Sequence, residues 1–226
     1  MLLLASRQSG KSTVAAAVSL QVALLEASSL VLLLSPSLRQ SGELFRKVVE
    51  LYRALGRPVA TVMESALRLE LANDSRIVSL PGTEATIRGY SGAKLLVIDE
   101  AARVPDDLYR AVRPMLAVSH GRMICLSTPF GKRGFFYDEW AGSNKWERVK
   151  ITADACPRIE PEFLAEERTA LGQRWYRQEY ECSFEDHLGQ IFDQESIDAA
   201  FSRRDIRPLV VGTDDDDEPV KPLKLL

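Results

Sequence analysis

The sequence is poor in the residues that build covalent or metal-held scaffolds. Its three cysteines, Cys125, Cys156 and Cys182, are widely spaced with no C-x-x-C pair, and its two histidines, His120 and His187, are isolated. This argues against a disulfide framework, a zinc knuckle or a His/Cys metal centre, and for reduced thiols. No apolar run approaches the roughly 20 residues of a membrane span. The opening Met1–Leu4 lacks the basic flank and the ~7–15-residue apolar stretch of a signal peptide. No repeat of solenoid-like period is present. Charge of one sign is also scarce: 29 Lys and Arg against 32 Asp and Glu leave a net charge of −3. A strongly basic, sheath-like nucleic-acid binder is thereby excluded, but not a motor that touches DNA through a local patch. The whole imbalance sits at one end. From Gly212 on, Asp214, Asp215, Asp216, Asp217 and Glu218 face only Lys221 and Lys224, so the rest of the chain is neutral.

What is present is an ordinary globular composition, 46% hydrophobic and 27% charged, over 226 residues. That length suits one large α/β unit, or a domain with a smaller companion. Leu2–Ala5 is a short apolar strand. Ser12–Ala27, rich in Ala, Val and Leu without Gly or Pro, is a largely buried helix. Ser29–Ser35 fits a strand buried on both faces. Ser41–Leu55 is helical, with Leu44, Val48, Leu51 and Leu55 on one face, and Gly56-Arg57-Pro58 stops it. Leu67–Leu71 and Arg76–Leu80 read as a half-exposed hairpin around Asn73-Asp74-Ser75. Ala93–Ile98 and Met123–Leu126 are further buried strands, and Asp106–Arg113 is a short helix broken at Pro114. Glu162–Leu171 and Arg174–Cys182 are charged helical stretches anchored by Trp175, Tyr176 and Tyr180. Leu209–Gly212 is one more strand candidate. The alternation of strands and helices predicts an open, parallel α/β sheet.

Three strand ends carry chemistry. Ser6-Arg7-Gln8-Ser9-Gly10-Lys11-Ser12-Thr13 fits a Walker A loop, G-x-x-x-x-G-K-[ST], between a strand and a helix, with Ala5 in place of the first Gly. Backbone N–H groups and the helix N-terminus supply positive potential there, Lys11 reaches the β- and γ-phosphates of ATP, and Ser12 ligates Mg²⁺. Leu95–Ile98 followed by Asp99-Glu100 fits a Walker B strand: Asp99 holds Mg²⁺ and Glu100 polarises the attacking water. Ligands in α/β sheets gather at the carboxyl ends of strands, where both motifs fall. A strand lies between the two motifs in sequence, and the Glu stands beside the Asp. Both features point to a motor-type P-loop NTPase rather than a small GTPase. Ser127-Thr128-Pro129 ends a third strand, and Ser127 or Thr128 is placed to sense the γ-phosphate. Arg7 suits a cis-acting arginine finger or an ordinary loop charge. Arg88, on a Gly-containing loop, suits a trans-acting finger or a surface charge.

Taken together, these motifs resemble the large subunit of phage terminase, the DNA-packaging ATPase. Ser6–Ser12 is similar to that family's divergent Walker A, in which the first Gly is often replaced and an Arg follows a small residue. Leu95–Glu100 with Ala101-Ala102 resembles its Walker B, Ser127–Phe136 its coupling motif, Leu67–Pro81 its hairpin, and Gly189–Asp193 the link between its ATPase and nuclease halves. The resemblance implies an α/β P-loop ATPase core over 1–152, a helical lid or linker subdomain over 153–208, and the start of a nuclease domain over 209–226. Leu209–Asp214 resembles the first nuclease strand and its first metal-binding Asp, but the remaining acidic residues of that metal site do not follow, so nuclease activity is not expected. The segment that precedes Walker A in the family, with its adenine-contacting Gln, does not precede Leu2.

The resemblance further implies ATP and Mg²⁺ as cofactors, and double-stranded DNA, a portal protein and a small terminase subunit as partners. A homo-oligomeric ring at the procapsid in the host cytoplasm, with no membrane partner, completes what it implies. Arg103, Arg110, Arg113, Arg122, Lys132 and Arg133 flank the motif loops and suit DNA phosphates or an ordinary charged surface. Phe130, Phe135, Phe136 and Trp140 are expected to pack rather than stack on bases. A helicase-like ATPase, or a terminase piece that binds partners without turnover, are the competing readings.

Overall fold

A computed structural model describes residues 1–81 and 89–185 of the chain. Its strands are β1 (Leu2–Ala5), β2 (Leu30–Ser35), β3 (Thr61–Glu64), β4 (Arg68–Leu71), β5 (Arg76–Pro81), β6 (Leu95–Asp99), β7 (Arg122–Ser127) and β8 (Arg148–Ile151). Its α-helices are α1 (Lys11–Leu25), α2 (Leu38–Ala54), α3 (Asp106–Val112), α4 (Gly134–Ala141) and α5 (Pro161–Glu179). The apolar runs become strands because continuous Leu, Val and Ile side chains satisfy both faces of a covered parallel sheet. β1, β2 and β6 are buried along their whole length.

One sheet carries all eight described strands, in the order β3-β4-β5-β2-β6-β7-β1-β8. The block from β5 to β8 is parallel, and the antiparallel β3 and β4 close one edge. The strand after the second motif, β7, lies between β6 and β1, in register with Asp99 opposite Leu126 and Leu4 opposite Ser127. All three motif strands therefore end side by side at one edge.

Strand alternation sorts the core into two layers. Leu3, Val31, Leu33, Leu95, Val97 and Leu126 meet Ala16 and Leu20 of α1 and Leu44, Val48 and Tyr52 of α2 on one face. Leu2, Leu4, Leu32, Leu34, Leu96 and Ile98 meet Leu108, Val112, Phe135 and Phe136 on the other. Each fully buried Leu or Val contributes about 1.5–3 kcal/mol, so burial holds β1 and β6, which carry the first two motif ends, firmly in place.

Several boundaries differ from the sequence expectation. The hairpin forms, but β5 is an interior strand between β4 and β2, and Ile77, Val78, Ser79 and Leu80 are buried rather than half exposed. The helical stretches after residue 160 join into α5, broken at Gly172 (φ 74°). Tyr176 and Tyr180 are buried anchors, whereas Trp175 is 48% exposed. Phe135 and Phe136 pack in the core as expected. Arg88, the Gly189–Asp193 link, the Leu209–Gly212 strand and the acidic run from Asp214 lie outside the residues whose side chains are described.

Candidate active site

β1 delivers its last residue, Ala5, fully buried, and the chain then turns through an exposed loop into α1. Gln8 (φ 59°) and Gly10 (φ 88°) adopt left-handed backbone, which Gly10 accepts without the steric cost of a Cβ. Two side chains brace the loop from within: the Ser9 hydroxyl donates to the Ser6 carbonyl at 2.8 Å, and the Lys11 ammonium donates to the same oxygen at 3.1 Å. Ser6 itself is fully buried, and its hydroxyl oxygen has no hydrogen-bond partner. No acidic residue occupies the first turn of α1 and no side chain caps it. Its first N–H groups and positive dipole end therefore remain directed at the loop.

Across the sheet edge, the Ser12 hydroxyl donates to Asp99 Oδ2 at 3.1 Å, and the Glu100 backbone N–H donates to Asp99 Oδ1 at 3.0 Å. This joins the first two motifs, 87 residues apart, in one contact. Glu100 sits in left-handed backbone (φ 51°, ψ 41°), an uncommon conformation for a side chain of its size. Burial raises the Asp99 carboxyl above its ordinary range, against the lowering pull of Ser12, the Glu100 N–H, Lys11 and Lys47. Burial also raises Glu100, with Lys11 and Arg103 opposing and the Asp99 charge adding. Arg103 Nε lies 3.8 Å from Glu100 Oε2, and its guanidinium rests 4.1 Å over the Phe130 ring.

Arg7, Gln8, Gly10, Lys11, Ser12, Thr13 and Glu100 line one cavity of about 340 Å³, with Lys47 of α2 and Arg158. Asp99 lies behind Ser12, and Thr128, 3% exposed, follows the end of β7 between the two motif strands. The Ser127 hydroxyl accepts from the Ala102 N–H at 3.2 Å and ties the third motif to the residue pair after Glu100. The Arg7 guanidinium rests 3.0 Å from Glu179 Oε2 of α5, while the Arg7 N–H donates to the Glu179 carbonyl at 3.0 Å. The first contact is a charge contact and not an aligned hydrogen bond, since that buried oxygen receives no properly directed donor. A larger cavity, about 700 Å³, opens by Met1, Arg113, Met123, Glu139 and Trp146. It contains none of the motif residues. Glu139 there already accepts hydrogen bonds from Tyr109, Asn144 and Trp146.

Lys47, Arg158 and Glu179 carry no sequence signal of this placement. Lys47 is one charge on an amphipathic helix, Arg158 lies in a loop after β8, and Glu179 ends a charged helix. Only the tertiary fold brings them to the loop.

The parallel sheet with the Walker A loop beside the Asp-Glu strand end, and a further strand between them, defines a P-loop fold of the motor type. A family profile, terminase large subunit (T4likevirus-type, N-terminal), matches residues 2–199, and the chain belongs to this family. The chain is 28% identical over 195 residues to the large terminase subunit of Escherichia phage T5, covering 83% of this chain and 44% of that protein. A terminase large subunit of Thermus phage G20c is 27% identical, covering 82% of this chain and 46% of its own. The chain thus spans under half the length of these curated relatives. Among solved structures, the ATPase domain of the Thermus phage P74-26 large terminase superposes with a TM-score of 0.71 at 23% identity, over 81% of this chain and 88% of that one. The large terminase of another thermophilic bacteriophage, in complex with ADP, gives a TM-score of 0.67 at 12% identity, over 81% and 47%.

Proposed function

We propose that this chain is the ATP-hydrolysing part of a packaging motor that drives double-stranded DNA into a capsid. The observation that carries the reading is the 3.1 Å contact of Ser12 with Asp99 beside Lys11 and Glu100. One hydroxyl, one carboxylate, one ammonium and one further carboxylate converge at the end of a helix. The thermophilic-phage terminase bound to ADP supports a nucleotide in this fold.

The roles follow from the chemistry of each group. The loop N–H groups and Lys11 hold the β- and γ-phosphates of the substrate. Gln8, Ser9, Gly10 and Thr13 shape that cradle, and Ser6 beneath it offers an unpartnered hydroxyl. Ser12 and Asp99 suit Mg²⁺, a hard cation that takes few protein ligands and completes its shell with water and phosphate oxygens. When bound, the ion offsets phosphate charge. Glu100, its carboxyl raised by burial, takes a proton from the attacking water more readily than an exposed Glu. Arg7 leaves Glu179 to meet the charge that develops on the γ-phosphoryl group, and Thr128 reports phosphate state to the loop after β7. Arg88 from a neighbouring subunit of a ring is a second candidate cation. The portal and small terminase subunits are the partners this role requires, in the host cytoplasm.

Glu100→Ala is expected to abolish Mg²⁺-dependent ATP hydrolysis while ATP still binds, and Lys11→Ala to lose binding itself. Turnover that survives Glu100→Ala overturns the assignment of the base. Absence of any hydrolysis by the native chain with DNA and portal present replaces the motor reading with a binding role.

A further inference from the structure

The sheet order gives the nucleotide site a direction. Along one edge stand β2, then β6 with Asp99 and Glu100, then β7 with Thr128 after it, then β1 with Lys11 after it. Lys11 and its loop hold one flank of the cavity, and Glu100 marks the flank where the attacked phosphoryl group lies. α2 begins just after β2, the strand paired with β6, so it approaches the cavity from the flank of the two carboxylates. Lys47 is the α2 residue that reaches in, lining the cavity with Lys11, Thr13 and Glu100.

Lys47 has carboxylates within reach on its own helix and takes neither. Glu43 stands four residues before it and Glu50 three after, the spacings at which helix side chains pair. Glu43 pairs instead with Arg46 at 2.9 Å. Among the described residues Lys47 forms no hydrogen bond or ion pair. It is half-buried, on a helix whose Leu44 and Val48 are in the core. Its charge is one of those that draw the Asp99 carboxyl down, which puts the ammonium on the carboxylate flank. The other cations of the motif loop are engaged: Lys11 donates to the Ser6 carbonyl, and Arg7 rests against Glu179. A half-buried ammonium without a partner has given up part of its hydration, and an anion that completes its bonds restores it.

We infer that Lys47 is a second phosphate-binding lysine, which bonds the terminal phosphoryl group of the nucleotide from the side of α2. The inference rests on the nucleotide reading of the Lys11 cavity and deepens it. Lys11 and the loop N–H groups grip the β-phosphate that ATP and ADP share, as well as the γ-phosphate. Lys47 reaches only the γ-phosphate. The site then separates a triphosphate from a diphosphate through a residue that belongs to none of the three motifs.

The test measures affinity of the 226-residue chain for ADP and for a non-hydrolysable ATP analogue, each with Mg²⁺. Lys47→Gln keeps most of the stem and removes the charge. It is expected to weaken the analogue by about ten- to hundredfold, the scale of a hydrogen bond to a charged group, and to leave ADP affinity unchanged. Lys47→Arg keeps the charge and is expected to retain most of the preference for the triphosphate. Circular dichroism on each variant checks the fold. Equal weakening of both ligands by Lys47→Gln, or of neither, overturns the inference. A loss of preference in Lys47→Arg as large as in Lys47→Gln assigns the effect to packing of the stem and overturns it too. In either case, loss of both ligands in Lys11→Ala leaves the nucleotide reading standing. Native affinity for both in Lys11→Ala means that the nucleotide reading itself has failed, and this inference with it.

Discussion

Asp99 and Glu100 adjoin in sequence but differ in burial: Asp99 is 6% exposed, and Glu100 keeps a quarter of its side chain in solvent. Both carboxyls are raised, chiefly by burial. A raised folded-state carboxyl favours folding below its unfolded pKa and loses that advantage as pH rises through the folded value, because the folded protein then holds a charge it solvates poorly. Asp99→Asn is accordingly expected to raise the melting temperature of the ligand-free protein by a few degrees at pH 8. The gain should shrink toward zero below about pH 3, where both states are protonated. Melting curves of the two proteins across that range check the sign; a variant less stable than the native chain at pH 8 refutes it. At this scale the legible residues were those whose type and spacing imply a role together: Lys11, Ser12, Asp99 and Glu100. Lys47, Arg158 and Glu179 were not legible, since a lone charge in a helix or loop has no pattern until the fold places it.

The elements explain why the loop stays fixed. α1 ends at Leu25, so its last carbonyls lack helical partners. The turn between β4 and β5 supplies them. Asn73 Nδ2 donates to the Ala23 carbonyl at 2.9 Å, its Oδ1 accepts from the Ser75 N–H, and the Ser75 hydroxyl donates to the Glu26 carbonyl. The hairpin therefore fastens the far end of the helix whose near end carries the Walker A loop. Asn73→Ala should cost about 1–2 kcal/mol, as a lost cap does, and lower the melting temperature by about 2–8 °C. An unchanged melt excludes this clamp. Elements were legible where a long apolar run or a sustained period set them apart, as in β1, β2, β6, β7 and α2. β3 and β8 escaped because each has four residues and no buried one. α4 escaped because eight residues starting at a Gly hold little periodicity; its C-terminal carbonyls are instead satisfied by Arg148 of β8, which donates to the carbonyls of Glu139, Trp140 and Gly142.

For the molecule as a whole, the two apolar layers share the same strands, so neither can open without stripping a face from the other. Met1–Glu185 clusters as one compact unit, and a single cooperative transition is expected for it. Ligand linkage then gives a global reading of the local site. A nucleotide that binds only the folded chain adds about 2.7 kcal/mol at one hundred times its dissociation constant. At roughly 2–4 °C per kcal/mol for a chain of this size, that is a rise of about 5–11 °C. A non-hydrolysable ATP analogue with Mg²⁺ should produce that shift. The analogue without Mg²⁺ should produce less, because Asp99 and Ser12 then lack the cation that reconciles a buried carboxylate with phosphate. Glu100→Gln should keep the full shift, since it removes a proton acceptor and leaves the cradle intact, whereas Lys11→Ala should abolish it. Differential scanning calorimetry reads all four arms in one experiment. An equal shift in Lys11→Ala and the native chain would place the nucleotide away from the β1–α1 loop and sever fold from function at the point where they are joined here.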